Sequence, residues 1–92
     1  MAKLSEQELT EALRPLAGWE RAGNEISKTF EKEDFVGAIT FVQRVAFAAE
    51  KMNHHPDIDI RWNKVKLTLS THSEGGLTKN DIELARQIEA IR

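Results

Sequence analysis

Apolar residues recur three or four positions apart in three segments of the chain, the spacing typical of amphipathic helices. The first segment follows Ser5, an N-cap candidate with Glu8 three residues later, and ends before Pro15. The longest segment follows Asp34 and continues to about Asn53. The pattern therefore predicts a short first helix and a long second one.

The second helix carries more apolar surface than one sheet face usually requires. Its apolar residues fill about half of the helical circumference at 100° per residue: Phe35, Ala38, Ile39, Phe41, Val42, Val45, Ala46, Ala48, Ala49 and Met52. Val36 and Phe47 fall on the otherwise polar half. Two interpretations remain open: a deeply buried core helix, or a helix of which one part contacts another subunit.

A third helix is predicted at the end of the sequence. Thr78 and Asp81 have the spacing of a second capping box, directly after the turn signal Gly75-Gly76. The residues expected to face inward are Ile82, Ala85, Ile88 and Ile91.

Polar and apolar residues alternate in two segments between the second and third helices. Asp57–Trp62 and Val65–Ser70 flank Asn63-Lys64, as in an antiparallel hairpin with one buried face. That face is expected to carry Ile58, Ile60, Trp62, Val65, Leu67 and Leu69. A first hairpin is predicted from Trp19–Arg21 and Glu25–Phe30 around Gly23-Asn24.

The resulting order, αββαββα, predicts an α+β fold. Hairpins produce antiparallel strands, so we expect a two-layer sandwich in which three helices cover one face of a four-stranded antiparallel sheet. The 92 residues suffice for one core, and residues 1–92 are expected to form a single domain.

Composition excludes several classes of function. With 40% hydrophobic and 30% charged residues the chain has the composition of a soluble globular protein. The net charge of −2 and the lack of a basic cluster give no indication of nucleic-acid binding. Cysteine is absent, which excludes disulfides and thiolate chemistry. With neither a signal peptide nor a membrane-spanning run, we expect a cytoplasmic protein without membrane contact.

All three histidines lie in one stretch of the sequence. His54 and His55 precede Pro56, and His72 follows the second strand of the predicted hairpin, which should return it to the His54-His55-Pro56 corner. Pro56 excludes helical geometry for His55, so the two neighbouring histidines point differently. If the second helix extends as far as His54, Glu50, four residues earlier, lies one helical turn from it and can orient its ring.

Three interpretations of the histidines compete. They are ordinary polar residues at loop ends, or they bind a metal together with Glu50, or they transfer protons around a small bound molecule. Adjacent side chains diverge, and no H-x-x-x-H spacing is present, so the metal site is the weakest interpretation. No phosphate-binding glycine pattern indicates a nucleotide.

At these residues the chain resembles the pterin-4a-carbinolamine dehydratases. The resemblance is carried by Glu50–Asp57, Asn63-Lys64-Val65 and Thr71–Thr78 through Asp81. These segments contain the patterns E-x-x-x-H-H-P and T-H-x-x-x-G-[LI]-[ST]-x-x-D. Matches also occur at Trp19, Phe30, Asp34-Phe35 and Phe41-Val42, so the resemblance covers nearly the whole chain.

The resemblance implies the αββαββα sandwich independently, and it implies an activity. The expected reaction is loss of water from a 4a-hydroxytetrahydropterin to give the quinonoid dihydropterin, without metal or organic cofactor, in pterin recycling. It implies that His54 and His72 are the acid/base pair and that His55 binds substrate. Other implied pocket residues are Pro56, Thr71, Ser73 and Glu74, and Glu50 and Asp81 are implied to support the histidines. Asp81 is equally well explained as a helix cap.

The resemblance has further implications for partners. Family members are dimers or tetramers with edge strands and the second helix at their interfaces, and their substrate is produced by aromatic amino acid hydroxylases. Animal members also serve as dimerisation cofactors of a transcription factor, so a pterin-binding or oligomerisation module with vestigial catalysis is the alternative function. Ile58, Asn53 and Glu74 depart from the animal pattern beside the pocket, which leaves the preferred pterin side chain open.

Overall fold

The computed structural model describes residues 2–91, which contain the predicted αββαββα order. The elements are α1 (Glu6–Leu13), β1 (Glu20–Ala22), β2 (Glu25–Glu31), α2 (Phe35–Met52), β3 (Asp57–Arg61), β4 (Lys64–Leu69) and α3 (Lys79–Glu89). A short 3₁₀ turn, His72–Glu74, separates β4 from α3.

The helices begin where their capping residues predict. Ser5 Oγ accepts a hydrogen bond from the Glu8 amide, and the Glu8 carboxylate accepts one from the Ser5 amide at 2.7 Å. Asp34 accepts from the Gly37 amide at the start of α2. These side chains satisfy amide groups that have no partner within the first helical turn.

The four strands form one antiparallel sheet in the order β1-β2-β4-β3. Two hairpins, β1–β2 and β3–β4, are joined at the centre by pairing of β2 with β4, in which Ile26 lies opposite Leu69. The centre of the sheet is therefore buried beneath the helices, whereas β1 and β3 are its edges. The predicted α+β sandwich is confirmed.

One cluster of buried residues joins the sheet to the helices. The strands contribute Ile26, Val65, Leu67 and Leu69, all at 0% exposure. The helices and their flanking loops add Leu9, Leu16, Trp19, Ala38, Phe41, Val45, Ala49, Leu77, Leu84, Ala85 and Ile88. Leu84, which is fully buried, was missing from the predicted inner face of α3, while Ile82 and Ile91 are only partly buried.

The prediction that Ile58 and Trp62 are buried is wrong. Ile58 is 41% exposed because β3 is an edge strand, where the inner face of the sheet is incompletely covered. Trp62 is 65% exposed and is not a strand residue: β3 ends at Arg61, and Trp62-Asn63 form the two-residue turn to β4. Its φ of 52° is the left-handed conformation that such hairpin turns require.

The α2 helix is buried along one stripe only. Ala38, Phe41, Val45 and Ala49 face the core. Val36 and Phe47 are each 72% exposed, as their position on the polar half predicts, but Phe35 is also 53% exposed. The interpretation of α2 as a deeply buried helix therefore fails for its outer apolar residues. Among residues 2–91, no helix has the length and apolar character needed to cross a bilayer.

A partly buried polar cluster connects the end of α3 to the first hairpin and the loop before it. Glu89 Oε2 accepts a hydrogen bond from Trp19 Nε1 at 2.9 Å and from Lys28 Nζ at 2.8 Å. Lys28 Nζ also donates to the Ala17 carbonyl. The end of α3 is thus fixed to the loop before β1 and to β2.

Candidate active site

The end of α2 determines where the two adjacent histidines point. Asn53 leaves the helix in the left-handed conformation, with φ 50° and ψ 44°, which is a common way for a helix to end. The His54 amide donates to the Ala49 carbonyl at 3.1 Å and completes this termination. His54 therefore lies beyond the helix and its side chain turns inward, where it is only 10% exposed.

His54 contacts a buried carboxylate from the start of α3. Its Nε2 lies 2.6 Å from Asp81 Oδ1, and Asp81 is 0% exposed. Asp81 also serves as the N3 residue of the predicted capping box, accepting from the Thr78 amide at 2.9 Å. The two explanations of Asp81 weighed from the sequence, histidine support and helix cap, are thus compatible, since each uses a different oxygen.

Two threonine hydroxyls complete the surroundings of Asp81. Thr71 Oγ1 donates to Asp81 Oδ2 at 2.8 Å and lies 2.9 Å from Thr78 Oγ1. Thr71 is 9% exposed and Thr78 is fully buried. The ends of β4 and α2 are therefore linked through one carboxylate at the start of α3.

The expected pairing of Glu50 with His54 is wrong. Glu50 Oε1 instead lies 2.6 Å from His55 Nε2, and both side chains are exposed, at 76% and 55%. A separation of four residues brings Glu50 and His54 together only in a helix that continues to His54, whereas the left-handed Asn53 ends α2 before that residue. The two histidines thus have two separate carboxylate partners, one buried and one exposed to solvent.

His72 lies at the start of the 3₁₀ turn, directly after Thr71. This turn, which also contains Ser73 and Glu74, is exposed. Gly75 ends it with φ 72°, and Thr71 pairs with Gly76 in an isolated β-bridge. Because Thr71 and His54 bind the same carboxylate, the backbone before His72 lies next to His54.

The structure brings most of the predicted site residues to one corner. His54, Asp81 and Thr71 are in direct hydrogen-bond contact, and His55 and His72 adjoin this group along the chain. The contact between the Thr78 hydroxyl and Thr71 was not predicted, although the Thr78 capping box was. The sequence does not reveal that Thr78 is buried, and a capping residue at the protein surface would not contact the side chains around Asp81.

His55 and the turn that begins at His72 are exposed, so the histidine corner faces solvent. A cavity of about 680 Å³ lies between α1 and α3, but none of the three histidines lines it. Within residues 2–91, no three His, Asp or Glu side chains converge in the manner of a metal centre. The groups available for chemistry are thus two imidazole–carboxylate pairs and the exposed His72.

Comparison with known proteins identifies the family. The family model described as pterin 4 alpha carbinolamine dehydratase matches residues 2–91. The chain belongs to this family. A Roseiflexus sp. (strain RS-1) protein provisionally named pterin-4-alpha-carbinolamine dehydratase is 57% identical over 97% of this chain and 96% of its own. A Nocardia farcinica protein with the same provisional name is 57% identical over 96% and 93%.

One solved structure agrees with the family assignment, and a second shares the fold. A Brucella melitensis protein described as a transcriptional coactivator/pterin dehydratase superposes with a TM-score of 0.92 at 42% identity, over 96% of both chains. A pterin dehydratase-like protein described as a RuBisCO assembly factor of the alpha-carboxysome shares 19% identity and a TM-score of 0.65, over 78% of this chain and 83% of its own. The second likeness concerns the fold alone.

Proposed function

We propose that this protein is a hydro-lyase that removes water from a 4a-hydroxytetrahydropterin and yields the quinonoid dihydropterin. Membership of the family supports this substrate class. The observation that carries the proposal is the buried His54–Asp81 pair, with His55 and His72 beside it at an open corner. A carboxylate in hydrogen-bond contact with an imidazole fixes the orientation of the ring, as proton transfer requires.

The chemistry requires two proton transfers. One proton is delivered to the 4a-hydroxyl group, the C4a–O bond breaks with release of water, and the proton on ring nitrogen N5 is removed. The C4a–N5 double bond forms with the electron pair left by that proton. Imidazoles serve both steps near neutral pH, each contributing roughly 10²–10⁴-fold to the rate.

We assign the acid/base pair to His54 and His72 and substrate binding to His55. His54 is held in place by a buried partner, as a proton-transfer group should be. His55 is paired with Glu50 at the surface, where it can contact the substrate without strict positioning. Pro56, Ser73 and Glu74, which follow His55 and His72 along the chain, complete the proposed pterin pocket.

The decisive experiment follows quinonoid dihydropterin formation in an aromatic amino acid hydroxylase reaction to which the purified protein is added. We expect an acceleration over buffer that the double variant His54→Ala/His72→Ala lacks. If the folded wild-type protein gave no acceleration, the enzymatic proposal would be wrong. Coupling to such a hydroxylase, as the source of the substrate, is part of the proposal.

A second candidate function is an oligomerisation or transcriptional cofactor module with vestigial catalysis. The exposed apolar residues of α2 and β3, such as Phe47 and Ile58, favour an assembly of this kind. The Brucella melitensis relative is itself described as a transcriptional coactivator. We propose a homodimer or homotetramer in either case, and the activity measurement above separates the two functions.

A further inference from the structure

We infer that Asp81, held by the hydroxyl groups of Thr71 and Thr78, keeps the ring proton of His54 on Nε2 and makes Nδ1 the nitrogen that exchanges a proton with the substrate. Thr71 and Thr78 are then positioning residues. The identity of the substrate rests on the proposed function, whereas the position of the ring proton is a property of the protein alone.

Counting donors determines the direction of each hydrogen bond around Asp81. Thr71 has one hydroxyl proton, and it goes to Asp81 Oδ2. The contact between Thr71 Oγ1 and Thr78 Oγ1 is therefore a hydrogen bond donated by Thr78. Thr78 Oγ1 accepts in turn from the Asn80 amide at 3.2 Å. The chain of hydroxyl groups thus runs from Thr78 through Thr71 to the carboxylate.

Asp81 acts as an acceptor in its other hydrogen bonds. Oδ2 accepts from the Thr71 hydroxyl and the Thr78 amide, as a carboxylate without a proton does. An ionised carboxylate has no proton to donate, so the short contact between Oδ1 and His54 Nε2 requires a proton on Nε2. In the neutral ring Nδ1 then carries the lone pair.

Nδ1 is also the accessible nitrogen of His54. Within residues 2–91 the ring makes one hydrogen bond, to Asp81 through Nε2. The His54 side chain is 10% exposed and Nε2 is occupied by Asp81, so Nδ1 is the ring nitrogen left to meet the substrate. A proton taken up at Nδ1 produces an imidazolium whose charge faces Asp81 across the ring, as in other carboxylate–histidine pairs.

The test is nitrogen NMR of the ¹⁵N-histidine-labelled protein, with the His54 signals assigned by their loss in His54→Ala. At a pH where the ring is neutral, we expect a protonated Nε2 and an unprotonated Nδ1. Observation of the opposite tautomer in the folded wild-type protein would overturn the inference. Because this measurement uses no substrate, it is independent of whether the protein is a dehydratase.

The variant Asp81→Asn should invert the tautomer. Thr71 and Thr78 donate to the Oδ2 position, so the amide oxygen must occupy it and the amide nitrogen must face His54. That nitrogen donates to Nε2, which places the ring proton on Nδ1. We expect the nitrogen spectrum to change accordingly and kcat to fall by about 10²–10⁴-fold, the contribution of a proton-transfer group. An unchanged tautomer in the folded variant would contradict the assignment.

The role of Thr71 is tested by a pair of variants. Thr71→Val removes the hydroxyl at similar volume, and we expect kcat to fall by about 10- to 100-fold with little change in KM, because His54 loses its fixed orientation. Thr71→Ser should restore most of kcat. Thr29→Val, on the exposed outer face of β2, is the matched control and should leave both constants unchanged. Equal loss in Thr71→Ser and Thr71→Val would show that the methyl packing, not the hydroxyl, is what matters.

Discussion

At the scale of single residues, the main feature is that two neighbouring histidines have different surroundings. Asn53 ends α2 in the left-handed conformation and directs His54 inward, whereas His55 stays at the surface before Pro56. One ring therefore contacts Asp81 and the other contacts Glu50. The difference in partners and burial is the physical reason for expecting different roles.

Replacing each histidine by alanine should separate these roles. We expect His54→Ala and His72→Ala each to lower kcat by roughly 10²–10⁴-fold, and the double variant to lose less than the product, because groups that act together are non-additive. His55→Ala should mainly raise KM. Steady-state kinetics of the purified variants, with circular dichroism to verify folding, provide the measurement. Loss of kcat in His55→Ala with an unchanged His54→Ala would reverse the assignment.

Treatment with a chelator provides a second prediction at this scale. Because imidazoles suffice to move both protons of the elimination, we expect full activity after exhaustive dialysis against EDTA. The rate is compared with that of an untreated sample of the same preparation. A loss of activity that zinc restores would favour a metal site formed by Glu50 and the histidines.

At the scale of helices and strands, the capping signals were predictive, whereas the exact ends of α2 and β3 were not. The capping boxes at Ser5 and Thr78 act within one helical turn, so the sequence reveals them directly. The contact between His54 and Asp81 joins positions 27 residues apart, and only the packing of α2 against α3 creates it. The one-residue error at Trp62 arose because alternation does not reveal where a strand becomes a turn.

The capping box of α1 predicts a pH dependence of stability. The Ser5 amide, and then the Ser5 side chain, lower the pKa of the Glu8 carboxyl in the folded state. This contribution is therefore present above the unfolded pKa of about 4.3 and is lost as the pH falls through the lower folded value. We expect the difference in unfolding free energy between wild type and Glu8→Gln to be constant from pH 7 to pH 5 and to shrink below pH 4. Denaturant titrations at each pH measure it, and a difference that grows on acidification would contradict the capping role.

At the scale of the whole molecule, the apolar surface left uncovered is concentrated on α2 and at the β3 edge. Phe35, Val36 and Phe47 on the helix and Ile58 and Trp62 near the edge are all more than 40% exposed. An edge strand also presents unpaired backbone groups, which proteins commonly cover or pair. Both features support the proposed homo-oligomer. They agree with the interpretation in which part of the apolar face of α2 contacts another subunit.

The variant Phe47→Arg tests this surface. We expect it to reduce the oligomeric mass measured by light scattering at micromolar concentration, because a charge replaces an apolar contact at the interface. Gln7→Arg, which adds the same charge on an exposed position of α1, should leave the mass unchanged. A monomeric wild-type protein, or an unaltered mass in Phe47→Arg, would exclude α2 from the interface.

Because Asp81 holds His54 and also joins three elements of the fold, the activity of the protein should report whether these elements are folded together. The Asp81 carboxylate joins the end of α2, the end of β4 and the start of α3, while Glu89 anchors the far end of α3 to Trp19, 70 positions away. A molecule in which α3 has detached therefore has no partner for His54 and should be inactive. Val65→Ala, which destabilises the core near the start of β4 and away from Thr71, should accordingly lower the number of active molecules, while each folded molecule retains its full turnover rate.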